Sequence, residues 1–150
     1  MITRYWEDFK VGEVEQIGGR RVDKEEVIAF AKQYDPQPFH VDEEAARASP
    51  FGGLIASGWQ TAAICQRLVV EGMLKNTASQ GSPGIEGLRW LLPVRPGDAL
   101  TVRYQIVEKL PSQSKPELRG RIKLHYEIRN QTGATVMTMD CWGIIGRRQP

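Results

Sequence analysis

The sequence predicts an α+β protein in which an antiparallel sheet, supplied by the second half of the chain, is covered by one apolar helix from the first half. Three observations predict it. Residues after about position 85 alternate apolar and polar side chains in successive segments, the period of a half-buried strand. About Ser57 to Leu74 runs a stretch that is nearly apolar along its length, as a helix buried against a sheet should be. The chain also changes character near its middle, from helical and irregular to strand-rich, which is the order expected of segregated layers.

Val11 to Ile17, ending at Gly18-Gly19, reads as a short strand with a turn behind it. Asp23 to Tyr34 reads as a helix. Asp23 stands at its cap with Glu26 three residues later as in a capping box, and Val27, Ile28, Ala31 and Tyr34 have helical spacing. Pro36 and Pro38 then preclude a regular helix, because neither has an amide hydrogen and each disfavours helical geometry in its predecessor. Asp42 to Ala48 forms a second short helix capped by Asp42, and Pro50-Phe51-Gly52-Gly53 breaks the chain before the long helix. Ile85 to Pro93 is a candidate strand closed by a Val94-to-Asp98 turn. Leu100, Val102, Tyr104 and Ile106 mark the next strand, and Ile122, Leu124, Tyr126 and Ile128 mark another within Leu118 to Arg129. Asn130-Gln131-Thr132-Gly133 makes a hairpin turn before Ala134 to Ile145, so the last three strands form a meander.

Bulk properties narrow the function. A chain of 150 residues suits one domain, residues 1–150, around a single core. Hydrophobic residues at 41% and charged residues at 25% fit an ordinary globular protein rather than a disordered one. The net charge of +2 is too small, and the basic residues too scattered, for a nucleic-acid surface. Cys65 and Cys141 have no CxxC or CxxH spacing, which points away from zinc or a disulfide framework and towards a reducing cytoplasm. Arg4, Glu7 and Asp8 interrupt any signal-peptide core, and no apolar run approaches the roughly 20 residues that span a bilayer. A soluble cytoplasmic protein with no membrane partner is expected.

Tyr34-Asp35-Pro36-Gln37-Pro38-Phe39-His40-Val41-Asp42 is the most informative segment. An acid and an imidazole lie five residues apart on a stretch stiffened by two prolines, so both can be held without the entropy cost of fixing a mobile loop. A carboxylate and a histidine facing one cavity can position a water and move its proton, which hydration of a conjugated double bond requires. The same stretch also fits a purely structural role, with Asp35 ending a helix and His40 capping the next element. Spacing does not separate the two. Phe51 to Trp59 enters the long helix. There a glycine, Gly58, lets a carbonyl approach the free amides of a helix N-terminus as an oxyanion site, or else only permits tight packing.

Taken together, these segments resemble the MaoC-like family of hydratases and dehydratases. Asp35, Pro38 and His40 match its D-x-N-P-x-H motif, with Ala45 in the expected place, and Gly58 falls eighteen residues beyond His40, where the family places its oxyanion glycine. Arg89-Trp90-Leu91-Leu92-Pro93-Val94-Arg95-Pro96-Gly97-Asp98 is similar to its second signature, R-F-x-x-P-V-x-P-G-D. The resemblance covers roughly residues 20 to 110. Gln37 replaces the usual Asn, and Tyr34 a common Gly.

The resemblance implies a hot-dog fold, a curved antiparallel sheet wrapped around one long helix. It also implies reversible hydration of a trans-2-enoyl thioester to a 3-hydroxyacyl thioester with (R) stereochemistry. Asp35 would orient the water, His40 would act as base and acid, and the Gly58 amide would hold the thioester oxygen. Ser57 matches a serine often found near the site, and Arg89 is a candidate for substrate binding. No metal or redox cofactor is implied, because coenzyme A or a carrier phosphopantetheine arrives with the substrate. A homodimer or higher homo-oligomer is expected, since a lone copy leaves a sheet edge open. A hot-dog acyl-CoA thioesterase and a non-catalytic acyl-binding or assembly subunit are the alternatives.

Other residues have plainer readings. His125, alternating with apolar strand neighbours, faces solvent or a partner; Asp98 forms a turn; Arg89 and Arg95 could meet the phosphates of a coenzyme A or carrier-protein ligand, with a solvated sheet surface the default; and Trp59, Trp90 and Trp142 are core or interface aromatics. Cys65 reads as a buried structural thiol.

Overall fold

The computed structural model describes residues 1–150. Its strands are β1 (Val14–Arg21), β2 (Gly84–Trp90), β3 (Ala99–Pro111), β4 (Arg119–Arg129) and β5 (Thr135–Gly146). Its helices are α1 (Lys24–Tyr34), α2 (Pro38–Val41), α3 (Glu43–Ala48) and α4 (Gly58–Gly72). All strand pairs are antiparallel, in the order β1-β3-β4-β5-β2. This is the hot-dog arrangement, with β3, β4 and β5 as the expected meander and α4 against its inner face.

Strict alternation builds that face. Along β4, Ile122, Leu124, Tyr126 and Ile128 are buried while the residues between them are partly exposed. Leu100, Val102, Tyr104 and Ile106 do the same on β3, and Met137 and Met139 continue the surface on β5. Ile64, Cys65, Leu68 and Val69 of α4 pack into this one core. Burial of each such side chain contributes about 1.5–3 kcal/mol relative to exposure. Burial also pushes the Cys65 thiol up to about 12, with a smaller contribution from nearby Cys141, so it stays protonated in the core. No helix is long and apolar enough to cross a membrane.

Three elements depart from expectation. β1 does not turn at Gly18-Gly19 but runs through both glycines to Arg21, with a shift of register against β3 between Ile17 and Arg20. Gly18 has φ of +70°, and a Cβ there would lie 2.6 Å from Leu68 Cδ2. The glycine is a bulge that lets β1 pass close over α4, not a chain reversal. In α1, Asp23 occupies the cap position without a side-chain hydrogen bond, and Glu26 is drawn off to Arg20 at 2.7 Å, so no capping box forms. Finally, Pro38 begins the one-turn helix α2. Proline is well tolerated at that first position, where its missing N–H has no helical partner to lose.

The bulge yields a paired prediction. Gly18→Ala combines a left-handed backbone with a side-chain collision and should destabilise the fold by about 1–3 kcal/mol. Gly19→Ala meets nothing within 4 Å and should stay within about 0.5 kcal/mol of the parent. Urea denaturation of both variants checks this, and equal effects would remove the bulge from the explanation.

Candidate active site

The local chain path brings the acid and the imidazole together. α1 ends as the Asp35 amide closes its last turn on the Ala31 carbonyl at 2.8 Å, and Pro36 cannot continue the ladder. The chain doubles back at once, with the Gln37 amide on the Asp35 carbonyl at 2.8 Å, and α2 then carries His40 inward until it is 4% exposed. Asp42 caps α3, accepting from the amides of Glu44 and Ala45 as expected. After the Pro50 break the chain returns alongside α2. The Ile55 amide reaches the Phe39 carbonyl at 3.3 Å and the Ala56 amide the Val94 carbonyl at 2.8 Å. Residues Leu54 to Ser57 are therefore buried between α2 and the second signature segment.

This return strand of chain orients the histidine. His40 Nδ1 lies 2.7 Å from the Ile55 carbonyl oxygen. A carbonyl only accepts, so Nδ1 carries a proton and donates it. In the neutral ring Nε2 is then the basic nitrogen; it lies 3.2 Å from Asp35 Oδ2. Ser57 is fully buried, and its Oγ donates to the same Asp35 oxygen at 2.7 Å while accepting from the Trp59 amide at 3.3 Å. Gln37 Nε2 donates to Asp35 Oδ1 at 2.8 Å. Burial pushes the Asp35 carboxyl up, but the hydrogen bonds from Gln37 and Ser57 and the proximity of His40 outweigh it and hold the group below the ordinary carboxylate range. Asp35 is thus an ionised acceptor, not an acid, near neutral pH.

Asp35, His40 and Gly58 all line one cavity of about 500 Å³, walled mainly by apolar and aromatic side chains including Phe39, Phe51, Trp59 and Trp90. Gly58 begins α4, so its amide has no carbonyl within the helix to bond. Trp90 Nε1 donates to the Gly58 carbonyl at 2.9 Å, and a Cβ on Gly58 would sit 2.3 Å from the indole. Both readings of this glycine therefore have a physical basis: it admits a close neighbour, and it opens an amide to the cavity. Trp59 and Trp90 are not core residues, being 59% and 46% exposed. They meet edge to face at the cavity, with ring centroids 5.1 Å apart.

The remaining candidates lie elsewhere. Ser57 does not line the cavity; it stands behind Asp35 and caps α4. Arg89 is exposed and outside the cavity lining, because adjacent strand residues point to opposite faces and Trp90 takes the cavity side. Arg95 is exposed and donates to the Phe51 carbonyl at 2.6 Å, while Asp98 accepts from the Arg95 amide at 2.9 Å as a turn former. His125 lies on the outer face of the sheet, with Nδ1 2.7 Å from Asp140 Oδ1 of the neighbouring strand. An acid does accompany it, which spacing did not reveal, yet it shares no cavity with the Asp35 pair.

The depressed Asp35 carboxyl makes a pH prediction. Because its value is lower folded than unfolded, its stabilising contribution is complete above the ordinary carboxylate range and is lost as pH falls through the depressed value. The stability difference between the parent and Asp35→Asn should therefore shrink between about pH 5 and pH 2. Urea midpoints across that window measure it, and a difference that grows on acidification would contradict the assignment.

Comparison with known proteins identifies the family. The family model of the MaoC like domain matches residues 10–125. The uncharacterized protein YdeM of Bacillus subtilis is 34% identical over 110 residues, covering 73% of this chain and 77% of YdeM. A 3-hydroxybutyryl-CoA dehydratase of Methylorubrum extorquens is 30% identical over 118 residues, covering 76% of this chain and 71% of the enzyme. The crystal structure of a MaoC-like dehydratase from Rhodospirillum rubrum superimposes with a TM-score of 0.90 at 40% identity, covering 99% and 100% of the two chains. With its hot-dog sheet and both signature segments meeting at one cavity, the chain belongs to the MaoC-like domain family.

Proposed function

We propose that this protein is an acyl-thioester hydratase/dehydratase, interconverting a trans-2-enoyl thioester and a 3-hydroxyacyl thioester, with (R) stereochemistry implied by the motif resemblance. One observation carries the proposal: His40 Nε2 and Asp35 Oδ2 face one cavity 3.2 Å apart beside the first residue of α4, Gly58. With the ring neutral and its proton on Nδ1, Nε2 and the carboxylate are both acceptors and cannot bond each other, but a single water can donate one hydrogen to each. That leaves its oxygen lone pairs directed outward at a substrate.

In the hydration direction, the water oxygen bonds to C3 as the C2=C3 π bond breaks, and the electron pair moves onto the thioester oxygen. His40 Nε2 takes the water proton, its imidazolium charge balanced by Asp35, and returns it to C2 as the enolate collapses. The Gly58 amide, at the positive end of α4, stabilises the enolate oxygen. Dehydration is the same path reversed, with His40 as acid to the leaving hydroxyl. The chemistry needs neither metal nor redox cofactor, and coenzyme A or a carrier pantetheine belongs to the substrate. The edge position of β2, with Ile85, Trp90, Leu91 and Leu92 exposed, favours a homodimer that covers it.

Loss of enoyl absorbance across a panel of short, long and branched enoyl-CoAs tests the activity. Asp35→Asn and His40→Ala should each lower turnover by more than about a hundredfold with the circular dichroism spectrum unchanged. Free thiol released from a saturated acyl-CoA would instead indicate a thioesterase. Full binding and assembly by both variants, with no hydration by the parent, would indicate a non-catalytic subunit.

A further inference from the structure

The first turn of α4 offers fewer donors than a helix N-terminus normally does. Ser57 consumes most of them: its Oγ accepts from the Trp59 amide, and its carbonyl accepts from the amides of Gln60 at 3.0 Å and Thr61 at 3.2 Å. Only the Gly58 amide remains for a ligand. Charge developing on an enolate oxygen is better held by two converging donors than by one, so the second has to come from a side chain.

Thr61 has the properties of that donor. It is 2% exposed, and it lines the same cavity as Gly58, Asp35 and His40. Residues three apart share a helix face, and Cα–Cβ bonds tilt towards the helix N-terminus, so the Thr61 side chain leans back over the turn that starts at Gly58. A threonine within a helix commonly bonds the carbonyl four residues back. Here that carbonyl is Ser57, already accepting twice, and the Thr61 hydroxyl has no partner in the chain. Nor is it sealed away like Gln60 Oε1, the neighbouring buried polar atom without a partner. Apart from Gln60, the other buried positions of α4 are Ile64, Cys65, Leu68 and Val69. A hydroxyl among them costs desolvation unless something in the cavity bonds it.

We infer that Thr61 is a catalytic residue whose hydroxyl, together with the Gly58 amide, donates to the thioester oxygen of the substrate and completes a two-donor oxyanion site. This rests on the hydratase activity proposed above. No bond to Thr61 forms or breaks; its hydroxyl donates more strongly as negative charge moves onto the oxygen, so its effect falls on turnover rather than on binding.

Thr61→Val keeps the shape and removes the donor, whereas Thr61→Ser keeps the donor. The valine variant should lose about a hundredfold in kcat with KM changed by no more than about threefold, and serine should recover most of the loss. A second readout needs no turnover. In an Asp35→Asn background, bound 2,4-hexadienoyl-CoA should absorb to the red of the free thioester as donors polarise its carbonyl, and adding Thr61→Val should reduce that shift. Parent-like kcat in Thr61→Val, a serine variant as poor as valine, or a red shift indifferent to Thr61 would each overturn the inference. A Thr61-dependent shift in a protein that hydrates nothing would keep the donor and discard the hydratase. Failure of the dienoyl thioester to bind would overturn both.

Discussion

A backbone carbonyl that can only accept a hydrogen bond sets the orientation of the imidazole in this site. By taking a hydrogen bond from His40 Nδ1, Ile55 decides which imidazole nitrogen is basic and turns it towards Asp35. Without that contact the ring has two tautomers, one of which would donate from Nε2 to the carboxylate. The constraint is inexpensive because Ile55 is itself pinned, its amide on Phe39 and its neighbour Ala56 on Val94. Three segments distant in sequence, residues 35–40, 55–56 and 94, thus meet around one imidazole.

The fold explains why they converge. The meander of β3, β4 and β5 supplies a wide apolar face, α4 lies against it, and the N-terminal end of that helix emerges where β2 finishes. Gly58 and Trp90 meet at that junction, with an indole seated where a side chain would otherwise project. Ser57 then links the two halves of the site, holding the helix start through the Trp59 amide and the carboxylate through its hydroxyl. A single buried residue therefore couples the start of α4, where Gly58 sits, to the Asp35 carboxylate.

Much of this was legible in the sequence where one residue type or one period carries the information. Period-two alternation located β3 and β4, the Asn130-to-Gly133 turn located β5, and the Asp-Pro-x-Pro-x-His spacing located the pair. What the sequence hid depends on contacts between distant positions. The partnership of Ser57 with Asp35 spans 22 residues, and the Ile55 carbonyl has no side-chain signature at all. Gly18 looked like a turn because a glycine with positive φ serves a bulge equally well. Glu26 looked like half of a capping box until Arg20, brought near by β1, competed for it. Asp140 could be matched with His125 only once the register of β4 and β5 was known.

The most direct test is the protonation pattern of the His40 ring, read by nitrogen NMR on protein labelled with ¹⁵N-histidine, at a pH where the ring is neutral. The account predicts a protonated Nδ1 and a bare Nε2, with the Nε2 resonance altered by Asp35→Asn. A neutral ring carrying its proton on Nε2 would contradict it, because the nitrogen meant to receive the water's proton would already be occupied.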